Sequence, residues 1–285
     1  MRLLSLGYSP CPNDTFIFYP LTHARIDTGG LRFSVRLEDV ETLNRLADTN
    51  ALDVCKVSWH AYALLRDRYV MLRAGGAMGR GCGPLVVSRD LREPADLRGK
   101  RVAVPGNRTT ALLLLKMFDR EIKEIVCLPF HEIMDAVEQG TVDAGVVIHE
   151  SRFTYQSRGL LKVVDLGEWW ERSTGLPLPL GGIAARRSLG PEILAQVNGI
   201  IRSSVDYARS HPAESAHYVR LHSREMNEDV CAAHIGLYVN EFSFDPGREG
   251  EEAAAALFSE GERLGLLPKF ATNIFLAAVA PQYKQ

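Results

Sequence analysis

The stretch LLSLGYSPCPNDTFIF, residues 3–18, places a rigid polar turn between two apolar segments. Residues 3–9 predict a strand, and a helix is predicted to follow with Asn13 or Asp14 as its N-cap. Pro20 falls within that helical stretch and therefore predicts a short or kinked helix. A strand, a tight turn and a helix in this order form the basic unit of α/β proteins, so this stretch sets the fold class.

The same alternation of strand and helix patterns continues along the chain. Alternating apolar residues over 31–37 predict a half-buried strand, and apolar residues at helical spacing over 39–48 predict the next helix. Further strand and helix patterns follow in turn, and from residue 190 onward the pattern is mostly helical. Strands that alternate with helices favour mainly parallel sheets that are flanked by helices.

A polar stretch with proline and glycine, LREPADLRGK at residues 91–100, divides this pattern into two units. We predict two lobes, with the helical C-terminal part returning to the first lobe and the second lobe inserted. The predicted boundaries are residues 1–87 and 183–285 for the discontinuous first lobe and residues 88–182 for the inserted lobe. The chain then crosses between the lobes twice, and Gly181 and Gly182 are the predicted hinge.

Charge and cysteine usage narrow the function classes. A net charge of -2 leaves no basic excess to neutralise phosphates, so nucleic acid is not a predicted partner. The N-terminal apolar stretch is too short for a signal peptide or a membrane span, which predicts a cytoplasmic protein without a membrane partner. Five scattered cysteines without a C-x-x-C pair, and no H-E-x-x-H, predict neither a disulfide framework nor a metal site.

Ligands of open α/β sheets bind beyond the carboxyl ends of the strands, and this rule selects four loops. The loops are SPCPND, KVSWH, PGNRTT and HES, which begin at residues 9, 56, 105 and 149. In PGNRTT, Gly106 permits an unusual turn, and Thr109 and Thr110 stand at the start of a predicted helix. Free N–H groups and hydroxyls there predict an anion site, although one threonine alone could simply cap the helix.

His149 is the strongest candidate for chemistry, because it follows the small and apolar residues 144–148 at a strand end. An imidazole in that place is a general base near neutral pH or a half-buried structural histidine. His234 and the other histidines on helical stretches are predicted to be surface or packing residues. Cys11 is predicted to pack, since no base or cation adjoins it in sequence, and Arg80 is a weak candidate anion contact.

The segments SPCPNDTFIF, LEDVETLN, GRGCGPLVV, RVAVPGNRTTA, IHESRFTY and TGLPLPLGGI together resemble the 1,4-dihydroxy-6-naphthoate synthases of the futalosine route to menaquinone. The resemblance runs from Leu6 to about Phe244. It implies the two-lobed fold of type II periplasmic binding proteins, with a ligand cleft between the lobes. It also implies a carbon–carbon lyase without a cofactor, which converts cyclic dehypoxanthine futalosine to 1,4-dihydroxy-6-naphthoate and dihydroxyacetone.

The resemblance implies that His149 is the general base and that the KVS segment and the threonine pair contact this small-molecule substrate. The full set of predicted substrate contacts is Asn13, Asp14, Asp39, Asn44, Lys56, Val57, Ser58, Thr109 and Thr110. Chorismate dehydratase, which shares the fold, is the alternative within enzymes. A solute-binding protein would normally carry an export signal or lipid anchor, and a ligand-sensing regulator would bring a helix-turn-helix segment.

Overall fold

A computed structural model describes residues 2–224 and 227–277, and within them the strands form two sheets. The first sheet contains β1 (Arg2–Tyr8), β2 (Leu31–Leu37), β3 (Val54–Ser58), β4 (Tyr69–Met71), β5 (Ala77–Gly79) and β11 (Leu178–Arg186). The second contains β6 (Leu85–Ser88), β7 (Val102–Val104), β8 (Ile125–Cys127), β9 (Ala144–Val147) and β10 (Leu161–Asp165).

In each sheet a single described strand runs against the others. The first sheet has the order β2-β1-β3-β11-β4, with β5 also on β11, and β11 is antiparallel to β3, β4 and β5. The second has the order β10-β6-β9-β7-β8, and β6 is antiparallel to β9 and β10. The remaining strands of each sheet share one direction, so the predicted α/β architecture with two mainly parallel sheets is confirmed.

Helices cover the faces of both sheets. They are α1 (Pro12–Thr22), α2 (Val40–Asp48), α3 (Trp59–Ala63), α4 (Thr110–Phe118), α5 (Ile133–Gln139), α6 (Ser151–Thr154), α7 (Leu166–Thr174), α8 (Pro191–Ser210), α9 (Pro212–His222), α10 (Glu228–Tyr238), α11 (Glu241–Phe244) and α12 (Gly247–Arg263). Helices α8, α9 and α10 of the C-terminal part pack against α1, which follows the first strand of the first sheet. No helix among the described residues has the length and apolarity that a bilayer crossing needs.

The first helix begins earlier than its polar residues suggested. Its N-cap is Cys11 and its first residue is Pro12, so the predicted caps Asn13 and Asp14 lie inside the first turn. Proline suits this position because the first helical N–H has no intrahelical partner. Helix α1 also continues through Pro20 to Thr22, because side chains on both sides of it are buried in the core beneath α8.

The chain crosses between the sheets twice, before β6 and before β11. The predicted boundaries at residues 87/88 and 182/183 fall inside these two strands, each of which belongs to one sheet throughout. The division into lobes stays a prediction. Gly181 and Gly182 pair with Ser58 and Val57 of β3, so a central sheet strand occupies the predicted hinge. An added Cβ at Gly182 would collide with the Met71 sulfur, which explains the glycine by close packing.

Candidate active site

On the first-sheet side of the site, several polar groups donate hydrogen bonds to the Asp14 carboxylate. Its side chain is 1% exposed and accepts hydrogen bonds from the Ser9 N–H (3.2 Å), the Ser9 hydroxyl (2.7 Å) and the Asn13 amide (2.9 Å). The buried Lys56 ammonium donates at 2.6 Å to Oδ1, the oxygen that also accepts from Asn13, whereas Ser9 donates to Oδ2. A buried ion pair needs such extra hydrogen bonds to offset its desolvation. The turn SPCPND, residues 9–14, therefore forms a rigid polar wall of the site.

The three predicted contacts of the KVS segment, at the end of β3, do not all face the cavity. Lys56 and Ser58 line the cavity, whereas Val57 points to the opposite face and packs in the core, because successive strand side chains alternate. Asn44 of α2 is fully buried behind Ser58. Its carbonyl accepts from the Ser58 N–H at 3.0 Å and its amide donates to the Ser58 hydroxyl at 2.9 Å. Asn44 thus orients Ser58 and does not line the cavity.

In the loop before α4, backbone N–H groups already bind a carboxylate of the protein itself. Glu41 accepts hydrogen bonds from the N–H groups of Asn107 (3.0 Å) and Arg108 (3.3 Å). Gly106 has a φ of +154°, and a Cβ there would lie 2.5 Å from the Glu41 carboxyl carbon. Glycine is therefore required at this position both for its conformation and for the approach of Glu41. The anion site predicted in this loop is in part filled by an internal anion.

The two threonines of the loop have different roles, and both hydroxyls are engaged. Thr109 is the N-cap of α4, where its hydroxyl accepts from the Leu112 N–H and donates to the Gly106 carbonyl. The Thr110 hydroxyl accepts from the Trp59 N–H at 3.0 Å and donates to the Leu180 carbonyl at 2.7 Å. Thr110 therefore ties the second sheet to the first, and both threonines still line the cavity.

His149 stands two residues beyond β9 with a left-handed backbone, φ +53°. Such a conformation is strained for a residue other than glycine and is often found at functional sites. The Nδ1 atom lies 3.2 Å from the Cys11 sulfur, and Phe130 meets the ring edge-on at 5.3 Å. Burial lowers the pKa of His149 to about 4, with Lys56 adding to and Asp14 opposing this effect. The imidazole is therefore neutral at pH 7.

Cys11 and His234 are close neighbours of His149. Cys11 is buried, as a packing residue would be, and its thiol also contacts the histidine; burial raises its pKa well above the usual range. His234 of α10, predicted to be a surface or packing residue, is fully buried, with its ring 5.9 Å from His149. Burial lowers its pKa well below the usual value. No local pattern in α10 marks this histidine, since the fold alone brings it to the site.

The cavity between the sheets has a volume of about 80 Å³. Seven predicted site residues line it: Asn13, Asp14, Lys56, Ser58, Thr109, Thr110 and His149. Asp39 is exposed and lies elsewhere, where its carboxylate caps α2 by accepting from the Glu41 and Thr42 N–H groups. Arg80 also lies outside, paired with Glu249 and with the Gly175 carbonyl. The sequence thus predicted seven of the seventeen residues that line the cavity, whereas Asp39, Asn44, Val57 and Arg80 lie outside it.

Residues 4–263 of the chain match the family model described as menaquinone biosynthesis. The chain belongs to this family. A curated 1,4-dihydroxy-6-naphthoate synthase from Thermus thermophilus is 52% identical, with 93% of this chain and 96% of the relative covered. Another from Streptomyces coelicolor is 48% identical, with 93% and 95% covered. These members support an enzyme that acts in menaquinone biosynthesis.

Solved structures similar to this member of the menaquinone biosynthesis family agree with the fold. A crystal structure of an Archaeoglobus fulgidus protein has a TM-score of 0.88 at 38% identity and covers 93% of this chain and 98% of its own. The alkanesulfonate-binding protein of Xanthomonas axonopodis pv. citri, bound to MOPS, has a TM-score of 0.70 at 16% identity, with 96% of each chain covered. The second likeness shows the fold alone, which is that of the periplasmic binding proteins.

Proposed function

We propose that this protein is a carbon–carbon lyase that converts cyclic dehypoxanthine futalosine to 1,4-dihydroxy-6-naphthoate and dihydroxyacetone. The names of the two curated relatives, and their identity over most of the chain, support the assignment. In this proposal the reaction takes place in the cytoplasm and uses no redox cofactor. Formation of an aromatic product drives the cleavage, so the protein has only to move protons and hold geometry.

The observation that carries the proposal is the placement of His149. It is a neutral imidazole in the wall of the cavity, beyond the end of a central strand and opposite the Asp14–Lys56 pair. An unprotonated imidazole accepts a proton from a carbon acid, which is the step that begins the proposed cleavage. With a pKa near 4, His149 is unprotonated throughout the physiological pH range, so no activating group has to remove a proton first.

The polar groups around the cavity suit an oxygen-rich substrate with a carboxylate. Thr110 and Ala111 line the cavity at the first turn of α4, where backbone N–H groups have no intrahelical partner. Such a helix start favours a carboxylate. Because the hydroxyls of both threonines and of Ser58 already have partners, we propose that these N–H groups, with Lys56, hold the substrate.

The size of the cavity implies that the lobes part to admit the substrate. Ligand pockets usually measure about 300–1,000 Å³, whereas this cavity measures about 80 Å³. Hydrogen bonds from Ser58 and Trp59 to the loop before α4 hold the two sides together. We propose that they break on opening and re-form over the substrate, which excludes water from the reacting intermediate.

Turnover of the purified protein with cyclic dehypoxanthine futalosine, followed by mass spectrometry of the naphthoate, tests this function. His149→Ala should lower turnover by about 10²–10⁴-fold, the usual contribution of a general base, while substrate binding measured by calorimetry is retained. His217→Ala, at an exposed position on α9, is the matched control and should be unaffected. Wild-type protein that forms no naphthoate would refute the reaction, and near wild-type turnover of His149→Ala would refute the base.

A further inference from the structure

The hydrogen-bond network of the site determines which nitrogen of His234 carries its proton. The Asn13 amide group donates to Asp14, so the Asn13 carbonyl faces the other way and meets His234 Nε2 at 2.9 Å. A carbonyl only accepts, so Nε2 is the donor, and in the neutral ring Nδ1 then carries a lone pair. His234 is 0% exposed, and its pKa is well below the usual value because of burial, so the ring is neutral.

This lone pair points toward a second electron-rich atom. His234 Nδ1 has no hydrogen-bond partner among the residues that the structure describes, and it lies 4.0 Å from Glu150 Oε2. A buried polar atom without a partner is rare and calls for an explanation. A cation bound at Nδ1 would give this nitrogen a partner, with the Glu150 carboxylate close enough to share the same ion.

Glu150 also belongs to a cluster of three potential metal ligands. One donor atom from each of Cys11, His149 and Glu150 lies within 4.8 Å of the others, and all three residues are buried or half-buried. Tetrahedral zinc with bond lengths of about 2.3 Å to sulfur and about 2.0 Å to nitrogen separates those two ligands by about 3.5 Å. The observed distance from Cys11 Sγ to His149 Nδ1 is 3.2 Å, so these two side chains need to move by only a few tenths of an ångström.

We propose that Cys11, His149, Glu150 and His234 form a binding site for Zn²⁺ or a similar thiophilic divalent cation. Thiolate, imidazole and carboxylate are the ligands that Zn²⁺ takes in proteins. The Asn13 carbonyl on the far nitrogen of His234 is the outer partner that such ligands usually have. On binding, the Cys11 thiol loses its proton to solvent as the sulfur–metal bond forms.

The metal would inhibit the enzyme, and this part of the inference rests on the proposed role of His149. A cation on Nδ1 leaves the single proton of the neutral ring on Nε2, so His149 no longer accepts a proton. The site also joins both sides of the cleft, since Cys11 and His234 come from α1 and α10, and the other two follow β9. Bound metal therefore also holds the cleft closed. The sequence predicted no metal site, because the ligands come from separate segments without a metal-binding spacing.

Binding is tested without any activity measurement. The chelator-stripped protein is titrated with Zn²⁺ by calorimetry and with Co²⁺ by absorption spectroscopy, where thiolate ligation produces a near-ultraviolet charge-transfer band. We expect one site per chain and that band. Cys11→Ser should abolish the band and weaken Zn²⁺ binding by about 100-fold or more, because loss of even an outer partner typically costs about 10–100-fold. Cys127→Ser, at an exposed cysteine outside the cavity, is the matched control and should bind as the wild type does.

Glu150→Gln is a second variant for the case that Cys11→Ser fails to fold. It keeps the size of the side chain but removes its charge, and it should also weaken binding of Zn²⁺. Asn13→Ala, which removes no ligand, should weaken binding by about 10–100-fold. Absence of the Co²⁺ band, or equal Zn²⁺ affinity of the wild type and Cys11→Ser, would overturn the site. Zn²⁺ that binds in this way without inhibiting turnover would leave the site standing and overturn the inhibition.

Discussion

The two walls of the cavity are stabilised in different ways. On the first-sheet side, Asp14 is satisfied by Ser9, Asn13 and Lys56, all of the same wall. On the second-sheet side, the polar groups find their partners across the cleft. Thr110 bonds Trp59, the Arg108 carbonyl accepts from Ser58, and the Asn107 and Arg108 N–H groups bond Glu41. The first wall is therefore preformed from its own residues, whereas the polar groups of the second wall depend on partners from the first.

The largest effect is expected from breaking the preformed wall. Lys56→Met leaves the buried Asp14 carboxylate without its cation and should lower the free energy of unfolding by about 3–5 kcal/mol. Denaturant unfolding measures this loss. Lys100→Met, at an exposed lysine, is the control and should change little. A loss below about 1 kcal/mol for Lys56→Met would mean that the first wall does not depend on the ion pair.

A pH effect tests a contact across the cleft. His60 donates from Nδ1 to the Thr109 carbonyl, and burial lowers its pKa to about 4. The unfolded chain binds this proton below about pH 6.5 and the folded chain only near pH 4, so stability falls as the pH drops through that window. The loss from this group is at most about 3 kcal/mol at pH 4.

His60→Gln keeps a donor for the Thr109 carbonyl and removes the titration. Unfolding free energies of both proteins, measured from pH 7 to pH 4, should match near pH 7 and diverge below about pH 6.5, with the variant losing less. Parallel curves for the two proteins would contradict a neutral, buried His60. The pH dependence of stability would then come from other titratable groups.

A smaller loss is expected where the second wall meets Glu41. Gly106→Ala forces a side chain against the Glu41 carboxyl and should cost about 1–3 kcal/mol. It should also open the cleft, which small-angle scattering detects as a larger radius of gyration. Gly99→Ala is the matched control, because Gly99 has a φ of +71° but no atom within 4 Å of the added Cβ. Equal scattering from both variants would show that Glu41 does not hold the cleft closed.

An effect of similar size, without a change of backbone conformation, is expected from one side chain that makes two hydrogen bonds across the cleft. Thr110→Val keeps the shape of the side chain and removes the hydroxyl between Trp59 and Leu180. The loss of stability should be about 1–3 kcal/mol, since two buried backbone groups lose a partner. Because backbone N–H groups are proposed to hold the substrate, the affinity of the protein for the substrate should change little. A larger affinity loss for Thr110→Val would instead assign the hydroxyl to the substrate.

The sequence located residues of both walls, and the predicted contacts that do not line the cavity all lie on the first-sheet side. Alternating strand and helix patterns located the loops, and the carboxyl-end rule then selected Asp14, Lys56 and His149. Val57 could have been excluded as a substrate contact from the sequence, because successive strand side chains point to opposite faces and Val57 lies between Lys56 and Ser58. The positions of Glu41 and His234 at the site could not be predicted from the sequence. Contacts between distant segments bring each of them there, and neither has a local sequence signature. Asp39 was misplaced because a helix cap and a ligand contact look alike in sequence.

The reversed strand β11 has a consequence for synthesis of the chain on the ribosome. It lies between β3 and β4, so the first sheet remains split until residue 186 has left the ribosome. The second sheet is contained within residues 85–165 and becomes complete earlier. Contacts that are local in sequence form faster than distant ones. The part of the chain in the middle is thus expected to fold first, and the N-terminal strands wait for their missing neighbour.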